Sequence, residues 1–107
     1  MISVLVVLEP GEELSVLVTR RPSVEILTAH GLEETVEKLA RNRRIDAVLL
    51  LSEREAPAIV AAIREENPAP PPLFVPAGER PAPPGTISLP ASSREELLDL
   101  LSAELKS

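Results

Sequence analysis

The chain has 107 residues, 44% apolar and 26% charged. This is enough for one domain with a modest core, and too apolar for a disordered segment. Its formal charge of −6, from 11 Lys+Arg against 17 Asp+Glu, repels polyphosphate and anionic lipid, so neither nucleic acid nor a membrane surface is an expected partner. There is no cysteine and Phe74 is the lone aromatic, which excludes disulfides, thiolate chemistry, Cys-based zinc sites and a base-stacking platform.

Met1 leads directly into ISVLVVL, with no basic stretch before it and a Glu-Pro break after it. That is too short for a signal peptide or a membrane span, so the expected location is cytoplasmic. Ser3 to Leu8 reads as a strand buried on both faces. Pro10 and Gly11 break it. Glu12 to Arg20 carries Leu14, Leu17 and Val18 at helical spacing, with acids first and arginines last, as the helix dipole favours. Pro22 ends that element, and Val24 to Thr28 is a second strand.

Gly31 to Arg44 predicts a helix with a stripe of Leu32, Val36, Leu39 and Ala40, early acids Glu33 and Glu34, and late Arg41, Arg43 and Arg44. Ile45 to Leu51 is a third strand. Ser52 with Glu55 has the spacing of a capping box before a helix whose face is Ala56, Ile59, Val60 and Ile63, and Asn67-Pro68 stops that helix. Leu73 to Val75 and Thr86 to Leu89 are short strands. Ser92 and Ser93 before Glu95 and Glu96 repeat the capping signal, opening a last helix to about Lys106. Pro68 to Pro90 holds 9 of the 12 prolines, and PAGERPAPPG within it cannot form a helix of any length.

Strands alternating with helices imply an α/β fold with a parallel sheet. In the fifth strand, Thr86 and Ser88 alternate with Ile87 and Leu89, so one face is expected to be polar and the other buried under the last helix.

On these residues the chain resembles the receiver domains of bacterial response regulators. VEILTAHGLEETVEKLARNRRIDAVLLL follows that family's second strand, second helix and third strand. VLVVLEPGEEL resembles its first strand and acidic loop, and ISLPASSREELLDLL its fifth strand and last helix. The resemblance implies one domain over residues 1–107. It would be a three-layer, doubly wound, flavodoxin-like sheet in the order 2-1-3-4-5, with the fourth helix missing or replaced by the proline-rich loop. It also implies five functional groups at the strand ends, and here the chain departs from the pattern. The metal-holding acid pair falls on Leu8 and Glu9, and the phosphate-accepting aspartate on Leu51. The hydroxyl falls on Pro76 or Ala77, and the lysine on Leu89. A leucine cannot attack phosphorus, and nothing at these positions would neutralise a transferred phosphoryl group.

The expectation is therefore a pseudo-receiver without enzymatic activity or cofactor, acting as a protein-interaction or regulatory module in bacterial two-component signal transduction. It would be the N-terminal part of a larger protein or a stand-alone adaptor. Its partner would be another protein or a second copy of itself, with Thr86, Ser88, Leu100 and Arg80 on the candidate surface. Leu97, Leu98, Leu101 and Leu105 form the stripe of the last helix, with Leu100 to one side. Mg²⁺ is not expected; Glu9 and Glu53, beside Glu12, Glu13 and Glu55, are the weak metal candidates, and acids at helix starts ordinarily serve the dipole instead. The alternatives are a small-ligand- or metal-binding flavodoxin-like domain, and a working phosphoreceiver with displaced acids. His30 has no nucleophile placed beside it by the pattern and is expected to face solvent or cap a helix. Lys38 with Arg41 to Arg44 could meet an acidic partner, although cations at a helix C-terminus are the ordinary dipole pattern. The four glycines, at 11, 31, 78 and 85, form no phosphate loop.

Overall fold

The computed structural model describes residues 2–12, 24–42, 44–52, 54–67, 69–77, 82–90 and 94–106. In chain order its elements are β1 (Ile2–Leu8), β2 (Val24–His30), α1 (Leu32–Arg41), β3 (Ala47–Leu50), α2 (Ala56–Glu66), β4 (Leu73–Pro76), β5 (Ile87–Leu89) and α3 (Arg94–Lys106). Residues 13–20 of the helix expected over Glu12 to Arg20, and the capping signal at Ser92 and Ser93, lie outside the described residues.

The five strands form one sheet in the order β2-β1-β3-β4-β5, and every neighbouring pair is parallel. β1 is flanked on both sides, by β2 from Ile2↔Val24 to Leu8↔His30 and by β3 from Val4↔Ala47 to Val7↔Leu50. This explains its unbroken apolar run: with neighbours at both edges and cover on both faces, no position from Val4 to Leu8 reaches water.

Alternate residues of β1 enter two separate apolar clusters. Leu5 and Val7 join Val48 and Leu50 of β3, Leu39 of α1, and Ile59, Val60 and Ile63 of α2. Val4, Val6 and Leu8 join Leu49, Phe74 and Leu89, with Leu97, Leu98 and Leu101 of α3. Each of these side chains contributes roughly 1.5–3 kcal/mol by leaving water. A one-residue slip of β1 would exchange the two sets.

The α1 stripe differs from the expected one. Leu39 is buried, but Leu32 is 36% exposed and the second buried position is Thr35. The Thr35 hydroxyl donates to the Gly31 carbonyl at 2.7 Å, which satisfies it inside its own helix and permits burial of a polar side chain. α2 buries Ala56, Ile59, Val60 and Ile63 as the pattern implies. Both helices end on asparagine. The backbone and side-chain amides of Asn42 return to Lys38 O, and those of Asn67 return to Ile63 O.

The alternation expected of β5 is not realised. Leu89 is buried, yet Ile87 is 45% exposed although it lies on the same face. Ser88 is also exposed. With only three residues at the edge of the sheet, β5 is covered by α3 at its C-terminal end alone.

Candidate functional site

In a parallel sheet all C-terminal strand ends lie along one edge, and a ligand crevice opens where the strand order reverses. Here that point lies between β1 and β3, flanked by Leu8–Glu9 and Leu51–Ser52. Leu8 is fully buried. The Leu51 amide donates to the Val7 carbonyl at 2.9 Å, and its half-buried side chain packs against the cluster beneath α3. The two leucines therefore belong to the core, and neither offers a ligand or a nucleophile.

Glu9 opens a tight turn. Glu12 N–H donates to Glu9 O at 3.0 Å, with Pro10 second and Gly11 third at φ 84°. This is the residue order of a type II turn, whose third position needs a positive φ. The Glu12 carboxylate in turn accepts the Glu9 N–H at 3.4 Å. The Glu12 carboxylate is thus engaged within its own turn. Glu13 and Glu53 lie outside the described residues, and among the described residues no group of three or more His, Asp or Glu side chains is placed to hold a metal.

Past the switch point, β4 and β5 bring Pro76, Ala77 and Leu89 together. Pro76 pairs with Leu89, and Ala77 N–H donates to Leu89 O at 2.9 Å. The positions that the resemblance assigns to a hydroxyl and a lysine are adjacent in space, and both are apolar.

Ser52 and Glu55 do not form a capping box. α2 begins at Ala56 with Glu55 itself at the N-cap, so Ser52 stands three residues too early to reach the first free amides. Ser52 is instead fully buried, and neither its Oγ nor the buried Oε2 of Glu55 has a hydrogen-bond partner. Glu55 Oε2 lies against Gly31, 3.6 Å from where a β-carbon would stand. Gly31 has φ 87° and caps α1 without a side chain. Sequence spacing gave no sign that the start of α1 and the start of α2 meet through this carboxylate.

His30 is only partly exposed, with a side-chain accessibility of 31%. Its Nε2 lies 2.7 Å from the carbonyl of Glu12. A carbonyl only accepts, so Nε2 carries a hydrogen and donates it. Nδ1 is 3.8 Å from Glu34 Oε1, and Glu34 also pairs with Lys38 at 3.3 Å. Lys38 donates in addition to the Thr28 carbonyl. Burial raises the Glu34 carboxyl pKa. The Lys38 hydrogen bond, a backbone hydrogen bond from His30 and the charges of both residues outweigh that and bring it below its ordinary value. The basic stretch is correspondingly dispersed. Lys38 is engaged by Glu34, Arg41 pairs with Glu37 at 2.8 Å, Arg44 is exposed, and Arg43 lies outside the described residues.

Of the candidate partner surface, Ser88 is exposed. Thr86 is half-buried and donates its hydroxyl to Pro83 O at 2.6 Å, closing a turn. Leu100 is half-buried against the cluster beneath α3, and Arg80 lies outside the described residues. The residue that the alternation argument assigned to the buried face, Ile87, is the most exposed large apolar side chain among them.

No protein-family model matches the chain, and no curated protein matches it. One chain of a solved structure does, with a TM-score of 0.61 over 99% of this chain and 98% of that one, at 16% identity. It belongs to the crystal structure of the phosphorylated P1 domain of CheA3 in complex with CheY6 from R. sphaeroides. At that identity the likeness is one of fold. Among the described residues no helix is long and apolar enough to cross a membrane.

Proposed function

We propose that this chain is a receiver-like domain that has given up phosphoryl chemistry and works by binding protein in a signal-transduction pathway. On this reading the sheet is doubly wound in three layers, and the proline-rich loop takes the place of the fourth helix. The observation that carries it is the strand-end edge. The strand order and reversal point suit a ligand crevice, but Leu8 and Leu51 fill that point with packed hydrocarbon, and Pro76, Ala77 and Leu89 fill the neighbouring positions. A phosphoaspartate needs an acceptor and cations around the transferred group; no residue at these positions supplies either. The fold neighbour comes from a structure of two signalling proteins in complex, which supports a protein partner as the ligand class. The exposed Ile87 and Ser88 of β5 and the half-buried Leu100 of α3 are the surface assigned to that partner.

Intact-mass measurement after acetyl phosphate and Mg²⁺ tests this. The expected result is an unchanged mass, and no amide shifts on adding beryllofluoride. A gain of one phosphoryl group would overturn the reading.

One observation favours a second reading, a small-cation or small-ligand site. Two buried oxygens without partners, Ser52 Oγ and Glu55 Oε2, lie in the loop after β3, and an unsatisfied buried polar group costs about 1–3 kcal/mol. A Mg²⁺ or Ca²⁺ titration that shifts Ser52, Glu55 and Gly31 together would establish that reading. A flat titration, with Ser52→Ala neutral or stabilising, would retire it.

A further inference from the structure

A cleft of about 660 Å³ lies at the opposite edge of the sheet from the strand-end site, between the C-terminal ends of α1 and α2. That volume falls within the range of roughly 300–1,000 Å³ usual for small-molecule sites. Its floor is apolar, with Leu39 and Ile45 buried at the base, and its rim carries Asn42, Asp46, Glu66 and Asn67.

The chemistry of this rim is one-sided. Each helix end presents carbonyls without intrahelical partners and about half a negative elementary charge, and two such ends meet here. Asn42 and Asn67 each spend one side-chain N–H on Lys38 O and Ile63 O, which leaves each a carbonyl oxygen with two lone pairs and one N–H. Asp46 uses one oxygen to accept Ser3 N–H at 2.8 Å and keeps the other. Glu66 adds a second carboxylate. Among the described residues no lysine, arginine or histidine lines the cleft.

Cations in the last turn of a helix usually offset its dipole. Those of α1 and α2 are engaged elsewhere. Lys38 pairs with Glu34 and Arg41 with Glu37, while the Arg64 guanidinium lies over Gly85.

We propose that this cleft binds a linear aliphatic amine. The alkyl chain would lie on the Leu39–Ile45 floor, and the ammonium would sit among Asp46, Glu66, the two asparagine oxygens and the helix-end carbonyls. An ammonium has three donors and no acceptor, which matches a rim on which two carboxylates, two amide oxygens and the helix-end carbonyls outnumber the donors. An anionic ligand would be repelled by the two carboxylates, and a neutral one would leave them without a counter-charge.

The test is an amide chemical-shift titration of the chain with 1,4-diaminobutane, beside sodium chloride at matched ionic strength, n-butanol and Nα-acetyl-lysine amide. The expected result is saturable shifts centred on Asn42, Ile45, Asp46, Glu66 and Asn67 with the diamine, and not with salt or butanol. Glu66 is exposed, so Glu66→Gln leaves the fold intact, and it is expected to weaken binding about two- to fivefold. Arg44 is exposed and lies between Asn42 and Asp46 in sequence; removing this like charge in Arg44→Ala is expected to tighten binding. Non-saturating shifts, equal shifts with salt, unchanged affinity in Glu66→Gln or weaker affinity in Arg44→Ala would overturn the proposal. Tighter binding of the lysine derivative than of the diamine would overturn the small-molecule assignment, because the occupant would then be a side chain of a partner protein.

Discussion

A methyl group on Gly85 would stand 2.8 Å from Cζ and Nη1 of Arg64. The end of α2 and the turn before β5 are thus in direct contact, over the side of the sheet where Ser88 is exposed. The turn is closed by Thr86, whose N–H and hydroxyl both donate to Pro83 O, at 3.2 and 2.6 Å. Gly85 provides its positive φ of 85°.

Gly85→Ala is expected to destabilise the domain by about 1–2 kcal/mol, the cost of left-handed backbone for a residue with a β-carbon. The guanidinium is the far end of a flexible side chain and can move aside. Adding Arg64→Ala should therefore recover little, and urea unfolding of the two single variants and the double variant should give a small coupling energy. A large coupling would mean that contact with Arg64, rather than backbone strain, sets the cost.

Glu34 gives a pH dependence with a definite sign. Its carboxyl pKa is lowered on folding from an ordinary value of 4.5. Such a group adds stability that is fully present above the unfolded pKa and is lost as pH falls through the folded pKa. Wild type is therefore expected to be more stable than Glu34→Gln at pH 7, and the two should converge in strong acid. Urea midpoints at pH 7 and at about pH 3 check this. A gap that stays constant with pH would place the effect of the substitution in packing.

Leu101 and Ile87 should behave as opposites. Leu101 is fully buried and Ile87 is 45% exposed. Leu101→Ala is expected to cost about 2–5 kcal/mol as the core beneath α3 loses volume. Ile87→Glu should change stability by no more than about 0.5 kcal/mol, while weakening self-association or partner binding through β5. Thermal unfolding and sedimentation of the two variants separate these outcomes. A strong loss of stability in Ile87→Glu would remove β5 from the proposed partner surface.

Most of the architecture was legible from residue types. The apolar run of β1, the face of α2 and the stop at Asn67 all depend on local pattern, and each has the role that its pattern implies. The readings that failed did so because a neighbour decided the outcome. The spacing of Ser52 and Glu55 matches a capping box, but α2 begins one residue after Glu55 and leaves Ser52 inside the protein. Thr35 reads as polar, yet it is buried because Gly31 O takes its hydroxyl. His30 is a lone histidine in the sequence and a bridge between the Glu9–Glu12 turn and α1 in space.

By itself the sequence determined the alternation of strands and helices and which side chains stand along the strand ends, Leu8, Leu51, Pro76, Ala77 and Leu89 among them. These follow from periodicity and from which atoms a side chain carries, and folding changes neither. The tertiary structure alone decided that Glu55 would meet Gly31, that Arg64 would cover Gly85, and that two helix C-termini would share one cleft with Asp46 and Glu66. Each of these joins residues from different elements. Their approach is set by the packing of helices on a five-stranded sheet, where burial of apolar side chains fixes the positions and polar groups take the neighbours that result.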